Sequence, residues 1–177
     1  EQHRLKRLKS TPSATLDGTP IELSANIELP QDMAEVLEAG AQGIGLFRTE
    51  FLFMNREDLP SEDEQFEAYR EVTRAMQGSP VTIRTLDIGA DKTLEGDAYT
   101  MPNPAMGLRA IRYCLAEPPM FLAQLRAILR ASHYGNVRLL IPMLAHAHEI
   151  DQTLALIKQA KRALDDAGQP YDQAIAV

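Results

Sequence analysis

Four short apolar segments alternate with helical segments along this chain, and this alternation limits its possible folds more than any other feature. The predicted strands cover residues 21–27, 43–50, 81–88 and 137–143. Strands that alternate with helices are typical of parallel βαβ units, which are joined by right-handed crossovers. The strands are almost continuously apolar, which is typical of a sheet buried on both faces. We therefore predict an α/β fold with a parallel sheet.

The segments between the strands carry helix signals. Residues 31–39 are predicted to form a short helix that Gly40 closes as a C-terminal cap. Ser61 and Glu64 have the spacing of a capping box, which predicts the start of a longer helix. Two more helices are expected over residues 104–115 and 119–132. The last predicted helix ends near Gly168, and its apolar face comprises Ile150, Leu154, Ile157 and Leu164.

The number of strand–helix units suggests an incomplete barrel. Four such units, followed by an apolar run at residues 174–177, correspond to half of an eight-stranded (β/α) barrel. A complete barrel of the TIM type takes around 250 residues, and this chain has 177. Residues 21–177 are accordingly predicted to form the first half of a TIM-type barrel. Residues 1–20 begin with basic and polar residues and are predicted to be a linker from an upstream domain.

Composition excludes several functional classes. The net charge of −7 and the pI of about 5.1 argue against a nucleic-acid or anionic-membrane surface as the main partner. No apolar stretch approaches the roughly 20 residues needed to cross a bilayer, and the polar N-terminus is not a secretory signal. We expect a cytoplasmic protein without membrane insertion. The single cysteine, Cys114, cannot form an internal disulfide and is predicted to be a packing residue.

Two arginines lie at equivalent places in successive predicted strands. Arg48 ends the apolar run that begins at Gly43, and Arg84 lies within the strand at residues 81–88. In a (β/α) barrel, ligands bind at the carboxyl ends of the strands. A guanidinium group is always charged, and its planar fork of donors matches a phosphate or a carboxylate. The pair therefore predicts a shared site for one anion.

A structural role for the same arginines is the alternative. An arginine within an apolar strand must be paired with acidic side chains if it is buried. Glu50 or Asp87 could serve Arg48 in this way. Such ion pairs are common enough that a single arginine would favour the structural interpretation. Two arginines in equivalent positions favour a ligand.

Three motifs carry a resemblance to a known family. Residues 43–54 read GIGLFRTEFLFM, residues 84–92 read RTLDIGADK, and residues 103–112 read NPAMGLRAIR. These segments resemble enzyme I of the bacterial phosphoenolpyruvate-dependent sugar phosphotransferase system. The similarity extends over almost the whole chain, and the matching region is the first half of the C-terminal phosphoenolpyruvate-binding barrel.

The resemblance implies a function and three site residues. Members of that family transfer the phosphoryl group of phosphoenolpyruvate to their own histidine, with Mg²⁺ present. They pass it on to a small histidine-bearing phosphocarrier protein for sugar uptake. Arg48 and Arg84 match the phosphate-binding arginines of the family, and Arg109 matches a third one. The complete barrel would be expected to form a homodimer.

The resemblance also implies that other parts of the machinery lie outside this chain. The magnesium-binding carboxylates, the residues for the substrate carboxylate and an acid cysteine would follow residue 177. The phosphorylated histidine would belong to the domain upstream of the linker, since none of the four histidines here lies in its motif. We therefore predict no catalytic residue, no metal ligand and no turnover for this chain alone.

Other interpretations remain open at this stage. Pyruvate phosphate dikinase and phosphoenolpyruvate synthase share the Arg-Thr-Glu motif, although residues 84–92 resemble enzyme I better. A non-catalytic module that senses phosphoenolpyruvate or mediates dimerisation is an alternative of a different class. His146, His148 and Glu149 could bind zinc if their side chains converged. A strand-to-helix turn with solvated histidines is the interpretation that we favour there.

Overall fold

Four parallel strands form one sheet in the computed structural model, which describes residues 11–54, 56–89 and 107–177. Strands that are consecutive in the chain are neighbours in the sheet, in the order β1-β2-β3-β4. The strands are β1 (Ser24–Ile27), β2 (Gly43–Arg48), β3 (Val81–Arg84) and β4 (Val137–Leu140). The predicted α/β fold with a parallel sheet is confirmed. The order matches consecutive strands of a (β/α) barrel.

Helices follow each strand in the described part of the chain. The α-helices are α1 (Met33–Ala39), α2 (Glu62–Ala75), α3 (Ile111–Ala116), α4 (Pro118–Ser132) and α5 (Ala147–Asp166). Short 3-10 helices cover Pro30–Asp32 before α1 and Thr49–Leu52 after β2.

Local sequence signals account for the helix ends. Gly40 adopts a left-handed conformation with φ 72°, so that it closes α1 as predicted. Ser61 caps α2, because its hydroxyl accepts from the Glu64 amide while the Glu64 carboxylate accepts from the Ser61 amide. Both signals were readable from the sequence.

The hydrophobic core lies between the sheet and one layer of helices. Phe47 from β2 packs edge-on against Tyr69 from α2, with ring centroids 5.7 Å apart. The other large side chains that are fully buried there include Ile27, Ile44, Ile83, Phe121, Leu125 and Ile128. Burial of these side chains supplies most of the stabilisation, at about 25 cal/mol per Å² of apolar surface.

The opposite face of the sheet is only partly buried in the described structure. Along β4, Val137 and Leu139 are buried, whereas Arg138 and Leu140 are exposed. Thr82 and Arg84 on β3 are only partly buried. The expectation of a sheet buried on both faces is therefore wrong for these residues, because successive side chains alternate between the helix layer and the other face.

Strands β2, β3 and β4 end earlier than predicted, whereas β1 ends at Ile27 as predicted but begins only at Ser24. β3 ends at Arg84 instead of residue 88, although Leu86 and Ile88 stay buried. The Thr85 amide still donates to the Leu140 carbonyl at 2.9 Å, and the Leu86 amide donates to a side chain. Apolar composition alone could not show where the backbone donors leave the neighbouring strand.

The buried face of α5 differs from the predicted apolar stripe. Ile157 and Leu164 are buried, but Ile150 and Leu154 are 45% and 49% exposed. The buried face begins instead with Glu149 and Thr153. Both polar side chains are satisfied, because the Glu149 carboxylate accepts two backbone amides and the Thr153 hydroxyl donates to the Glu149 carbonyl. Local hydrogen bonds thus outweighed apolar periodicity.

The described residues near the two ends of the chain add little to the sheet. Ala176 forms a parallel bridge to Arg138, so that the predicted fifth strand begins beside β4. In the predicted linker, residues 1–10 lie outside the described residues. Within residues 11–20, Ala14 and Pro20 form an antiparallel bridge around an exposed turn. No helix in the described ranges is long and apolar enough to span a bilayer.

Candidate functional site

Arg48 and Arg84 lie side by side at the carboxyl edge of the sheet. Each is the last residue of its strand, and the two are paired in the register of β2 and β3. Paired residues of neighbouring strands direct their side chains to the same face. The structure thus brings together the two arginines that the strand pattern singled out.

Arg48 is paired with an acidic residue that sequence reasoning did not consider. Its Nη2 lies 2.9 Å from Oε1 of Glu28, the residue that follows β1. Both side chains are more than a third exposed, at 39% and 38%. An exposed pair of this kind contributes little to stability, about 0–1 kcal/mol. Solvent or a ligand can therefore reach the Arg48 guanidinium.

Arg84 is held more tightly, between two carboxylates. Its Nη2 contacts Oε1 of Glu50, and its Nη1 lies 3.2 Å from Oδ2 of Asp87. All three side chains are largely buried, since the exposed fraction is 17% for Arg84 and 12% for each of Glu50 and Asp87. Glu50 and Asp87 were considered as partners of Arg48, and that assignment is wrong. Arg84 lies between the two acidic residues, whereas Arg48 faces the neighbouring strand end at Glu28.

Arg109 joins the same cluster through Asp87. Its Nε donates to Oδ1 of Asp87 at 3.1 Å, and its side chain is 38% exposed. The expectation that Arg109 is a helical residue is wrong, since α3 begins only at Ile111. A bridge to Gly89 and the hydrogen bond from the Ala110 amide to Ile88 hold this segment against the end of β3. Ala110 has φ 50° and ψ −124°, which a continuous helix does not allow. Residues 90–106, which include most of the predicted loop and the start of the predicted helix, lie outside the described residues.

We call these six residues the arginine cluster: Arg48, Arg84, Arg109, Glu28, Glu50 and Asp87. Within the described structure, three buried side-chain atoms of the cluster have no hydrogen-bond partner. They are Nε of Arg48, Nε of Arg84 and Oε2 of Glu50. Buried polar atoms usually have partners. The two unpartnered guanidinium donors are shielded from solvent, whereas the side chains of Arg48 and Arg109 are more than a third exposed at the same edge.

Of the three acidic partners, the sequence analysis missed Glu28 and assigned Glu50 and Asp87 to the wrong arginine. Glu28 comes one residue after β1, which places it at the same carboxyl edge as Arg48. Asp87 bridges two arginines that are 25 residues apart in the chain. The position of Glu28 directly after a predicted strand was a usable signal. The pairing of Asp87 with two arginines could not be predicted from the sequence, because it depends on the backbone path of residues 85–89.

The thiol of Cys114 is buried in the core next to the arginine cluster. The thiol is fully buried, with Sγ 4.0 Å from the Leu86 carbonyl. Burial, together with the nearby charge of Asp87, raises the pKa of Cys114 to about 12. The prediction of a packing residue agrees with this environment.

The histidines at the start of α5 do not form a metal site with Glu149. The rings of His146 and His148 are stacked, with centroids 5.4 Å apart. The Glu149 carboxylate accepts the Ala145 and His146 amides at 2.7 Å and 3.0 Å, and these hydrogen bonds lower its pKa. This carboxylate serves the helix start. Across the described ranges, no group of three or more histidine, cysteine or acidic side chains is arranged to hold a metal ion.

Comparison with protein families gives a match over nearly the whole chain. The model of the family described as "PEP-utilising enzyme, PEP-binding domain" matches residues 2–177.

Three relatives of this chain, from different bacteria, share one protein name. The phosphoenolpyruvate-protein phosphotransferase of Cupriavidus necator is 64% identical over 181 residues, which cover 100% of this chain and 31% of the relative. The proteins of that name from Staphylococcus aureus and Bacillus subtilis are each 47% identical, over 95% and 97% of this chain. The chain spans 30% of the length of each of these two. The predicted resemblance to this enzyme family is confirmed.

The environment of Cys114 predicts slow thiol chemistry in the folded chain. At pH 8, about a quarter of an ordinary cysteine is thiolate, whereas a thiol with a pKa of about 12 is almost fully protonated. We expect 5,5′-dithiobis(2-nitrobenzoate) to label the native chain much more slowly than the chain unfolded in guanidinium. Because the folded pKa is raised, the unfolded thiol ionises first, so that folding stability should fall as the pH rises above about 8.5.

The labelling signal has a single source, since Cys114 is the only cysteine. The unfolded chain is the control for intrinsic reactivity. Rapid labelling of the native chain at pH 8, without any unfolding, would contradict the buried position of the thiol.

Proposed function

Because this chain belongs to the family of PEP-utilising enzymes, through their PEP-binding domain, we propose that its arginine cluster binds the phosphate of phosphoenolpyruvate. The single observation that carries the proposal is the convergence of Arg48, Arg84 and Arg109 at the carboxyl edge of the sheet. This edge is where parallel (β/α) folds bind their ligands.

The chemistry of the three guanidinium groups suits a phosphate. Each offers five N–H donors in a planar arrangement. Phosphoryl transfer depends mainly on positioning and on neutralising the charge spread over the equatorial oxygens. Arg84 is oriented from both sides by Glu50 and Asp87, so its guanidinium is fixed before a ligand arrives. Preorganised donors of this kind lose little freedom on binding.

The acidic residues set the conditions for binding. Three carboxylates balance three guanidinium groups in the cluster, so the empty site carries no net formal charge. The unpartnered donors Nε of Arg84 and Nε of Arg48 are buried, so a phosphate would have to displace side chains of the cluster to reach them. The exposed pair of Arg48 with Glu28 is the easiest to rearrange.

For the whole protein, we propose phosphoryl transfer from phosphoenolpyruvate to a protein, as the names of the relatives indicate, followed by the steps that the family resemblance implies. The phosphoryl group of phosphoenolpyruvate would move to a histidine in an upstream domain, reached through the linker at residues 1–20. It would then pass to a histidine-bearing phosphocarrier protein in sugar uptake, in the cytoplasm, with the completed barrel as a homodimer. The high identity to proteins named phosphoenolpyruvate-protein phosphotransferase supports this proposal over a pyruvate phosphate dikinase or phosphoenolpyruvate synthase.

Mg²⁺ is proposed as the cofactor of the full-length enzyme, with ligands outside this chain. The described residues do not offer a suitable set, because Glu28, Glu50 and Asp87 are each already paired with an arginine. Magnesium prefers carboxylates and water in an octahedral arrangement. We therefore assign no step of the reaction to a metal held by this chain.

A titration of the isotopically labelled chain with phosphoenolpyruvate tests the site. We expect saturable shifts of the arginine Nε–Hε signals in NMR spectra. Arg48→Gln should weaken binding about tenfold or more, because a charge-assisted hydrogen bond contributes about 1.5–3 kcal/mol. Arg162→Gln, an exposed position on α5, is the matched control and should bind like the wild type. A well-folded chain without shifts, or equal losses in both variants, would contradict the site.

A second experiment tests the reaction and uses the reading frame that contains this chain together with the proposed histidine domain and the remaining barrel. We expect ³²P from labelled phosphoenolpyruvate to appear on that protein, and Arg84→Ala to remove the label. The 177-residue chain alone should take up none. Binding without labelling in the longer protein would favour the non-catalytic sensing module instead.

A further inference from the structure

A buried polar network lies directly behind the arginine cluster, between the sheet and the helices. It consists of Thr49, Gln124 and Tyr69, whose exposed fractions are between 0% and 2%. Gln124 comes from α4, Tyr69 comes from α2, and Thr49 follows β2 directly. Buried polar side chains in a core otherwise made of apolar residues are costly unless each finds its partners. Gln124 and Thr49 bond to each other and to the backbone at Leu86 and Arg84. The Tyr69 hydroxyl accepts from Gln124 and donates to Oε1 of the buried Gln65 at 3.2 Å.

The chemistry of the donors fixes the orientation of the Gln124 amide. The Leu86 amide can only donate, and it lies 2.9 Å from Oε1 of Gln124. Nε2 of Gln124 must therefore face the other way, where it donates to Oγ1 of Thr49 at 3.0 Å and to the Tyr69 hydroxyl at 3.2 Å. In this orientation, the Gln124 oxygen accepts one hydrogen bond and the Gln124 nitrogen donates two.

Thr49 links Gln124 to the backbone of Arg84 by hydrogen bonds. Its hydroxyl accepts from Gln124 and donates to the Arg84 carbonyl at 2.8 Å. Only a hydroxyl can accept and donate at the same atom in this way. A valine has the same shape but would leave the Arg84 carbonyl and one Gln124 donor without these partners.

The network acts where the regular sheet ends. The Thr85 amide donates to the Leu140 carbonyl, and the next backbone donor, Leu86, is satisfied by Gln124. The network therefore holds the Arg84 carbonyl and the Leu86 amide on either side of Thr85. Asp87 follows directly and pairs with both Arg84 and Arg109.

Thr49 also lies between two residues of the arginine cluster in the chain. It is preceded by Arg48 and followed by Glu50, whose carboxylate contacts Arg84. One hydroxyl thus fixes the end of β2 to the end of β3. A side chain displaced by about 1 Å at such a site can cost a large part of its function.

We propose that Thr49 and Gln124 are positioning residues, which hold the ends of β2 and β3 so that Arg48 and Arg84 present one anion site. The inference deepens the proposed function and rests on it, since the anion is taken to be the phosphate of phosphoenolpyruvate. Neither residue contacts the anion in this account. Their effect passes through the backbone of Arg84 and Leu86.

Substitutions that keep shape and change hydrogen bonding provide the test. Thr49→Val and Gln124→Met should each weaken phosphoenolpyruvate binding by about tenfold, the loss of about one hydrogen bond's contribution to the site. Thr49→Ser keeps the hydroxyl and should bind within about twofold of the wild type. Thr73→Val is the matched control, because Thr73 is equally buried but donates to the Tyr69 carbonyl within α2. It should lower the melting temperature and leave the affinity unchanged.

A second measurement needs no ligand. Amide hydrogen exchange at Leu86 should accelerate in Gln124→Met and stay unchanged in Thr73→Val, and the Arg84 Nε–Hε signal should shift or broaden in Thr49→Val. This measurement separates the two proposals. If the wild-type chain does not bind phosphoenolpyruvate, the proposed function fails for this chain, and Leu86 exchange still tests the positioning role.

Two outcomes would overturn the positioning role. One is wild-type affinity in both Thr49→Val and Gln124→Met, with unchanged exchange at Leu86. The other is an equal loss of affinity in Thr73→Val, which would show that general destabilisation is the cause. Should Thr49→Val fail to fold, Gln124→Met and Thr49→Ser carry the same test.

Discussion

The side chain of Arg84 is a charge that the fold must compensate, and much of the carboxyl edge of the sheet is arranged to do so. A guanidinium group that is 17% exposed is costly to bury without partners. Glu50 supplies one carboxylate from the segment after β2, and Asp87 supplies another from the segment after β3. The pairing of β2 with β3 brings these segments together, with Arg48 in register beside Arg84. Compensation of one charge thus links two strand ends.

The same arrangement explains how the proposed anion site can remain stable without an anion. Asp87 shares its two oxygens between Arg84 and Arg109, and Glu28 takes Arg48. The carboxylates neutralise the guanidinium groups and orient them, and Nε of Arg48 and Nε of Arg84 are buried without a hydrogen-bond partner in the described structure. In the proposed site, a phosphate would meet guanidinium groups that their carboxylate partners already orient. The buried amide of Gln124 and the hydroxyl of Thr49 bond to the backbone at Leu86 and Arg84, which is the basis of their proposed positioning role.

The residues of the fold and of the site differ in how far the sequence predicts them. The parallel α/β arrangement followed from alternating strand and helix patterns, and the start of α2 followed from Ser61 and Glu64. Arg48 and Arg84 could be placed together because equivalent positions in neighbouring parallel strands lie side by side. Their acidic partners could not be assigned, since a choice among Glu28, Glu50 and Asp87 depends on side-chain directions. The sequence does not give side-chain directions, so it could not show the role of Gln124 either. In the structure, Gln124 accepts a hydrogen bond from the Leu86 amide at 2.9 Å.

A crystal structure of the chain with phosphoenolpyruvate would show where the phosphate binds. We predict the phosphate at the carboxyl edge of the sheet, within hydrogen-bond distance of Arg48, Arg84 and Arg109, with the main chain of residues 84–87 unmoved. A phosphate bound elsewhere, or one that contacts a single arginine of the three, would contradict a shared anion site.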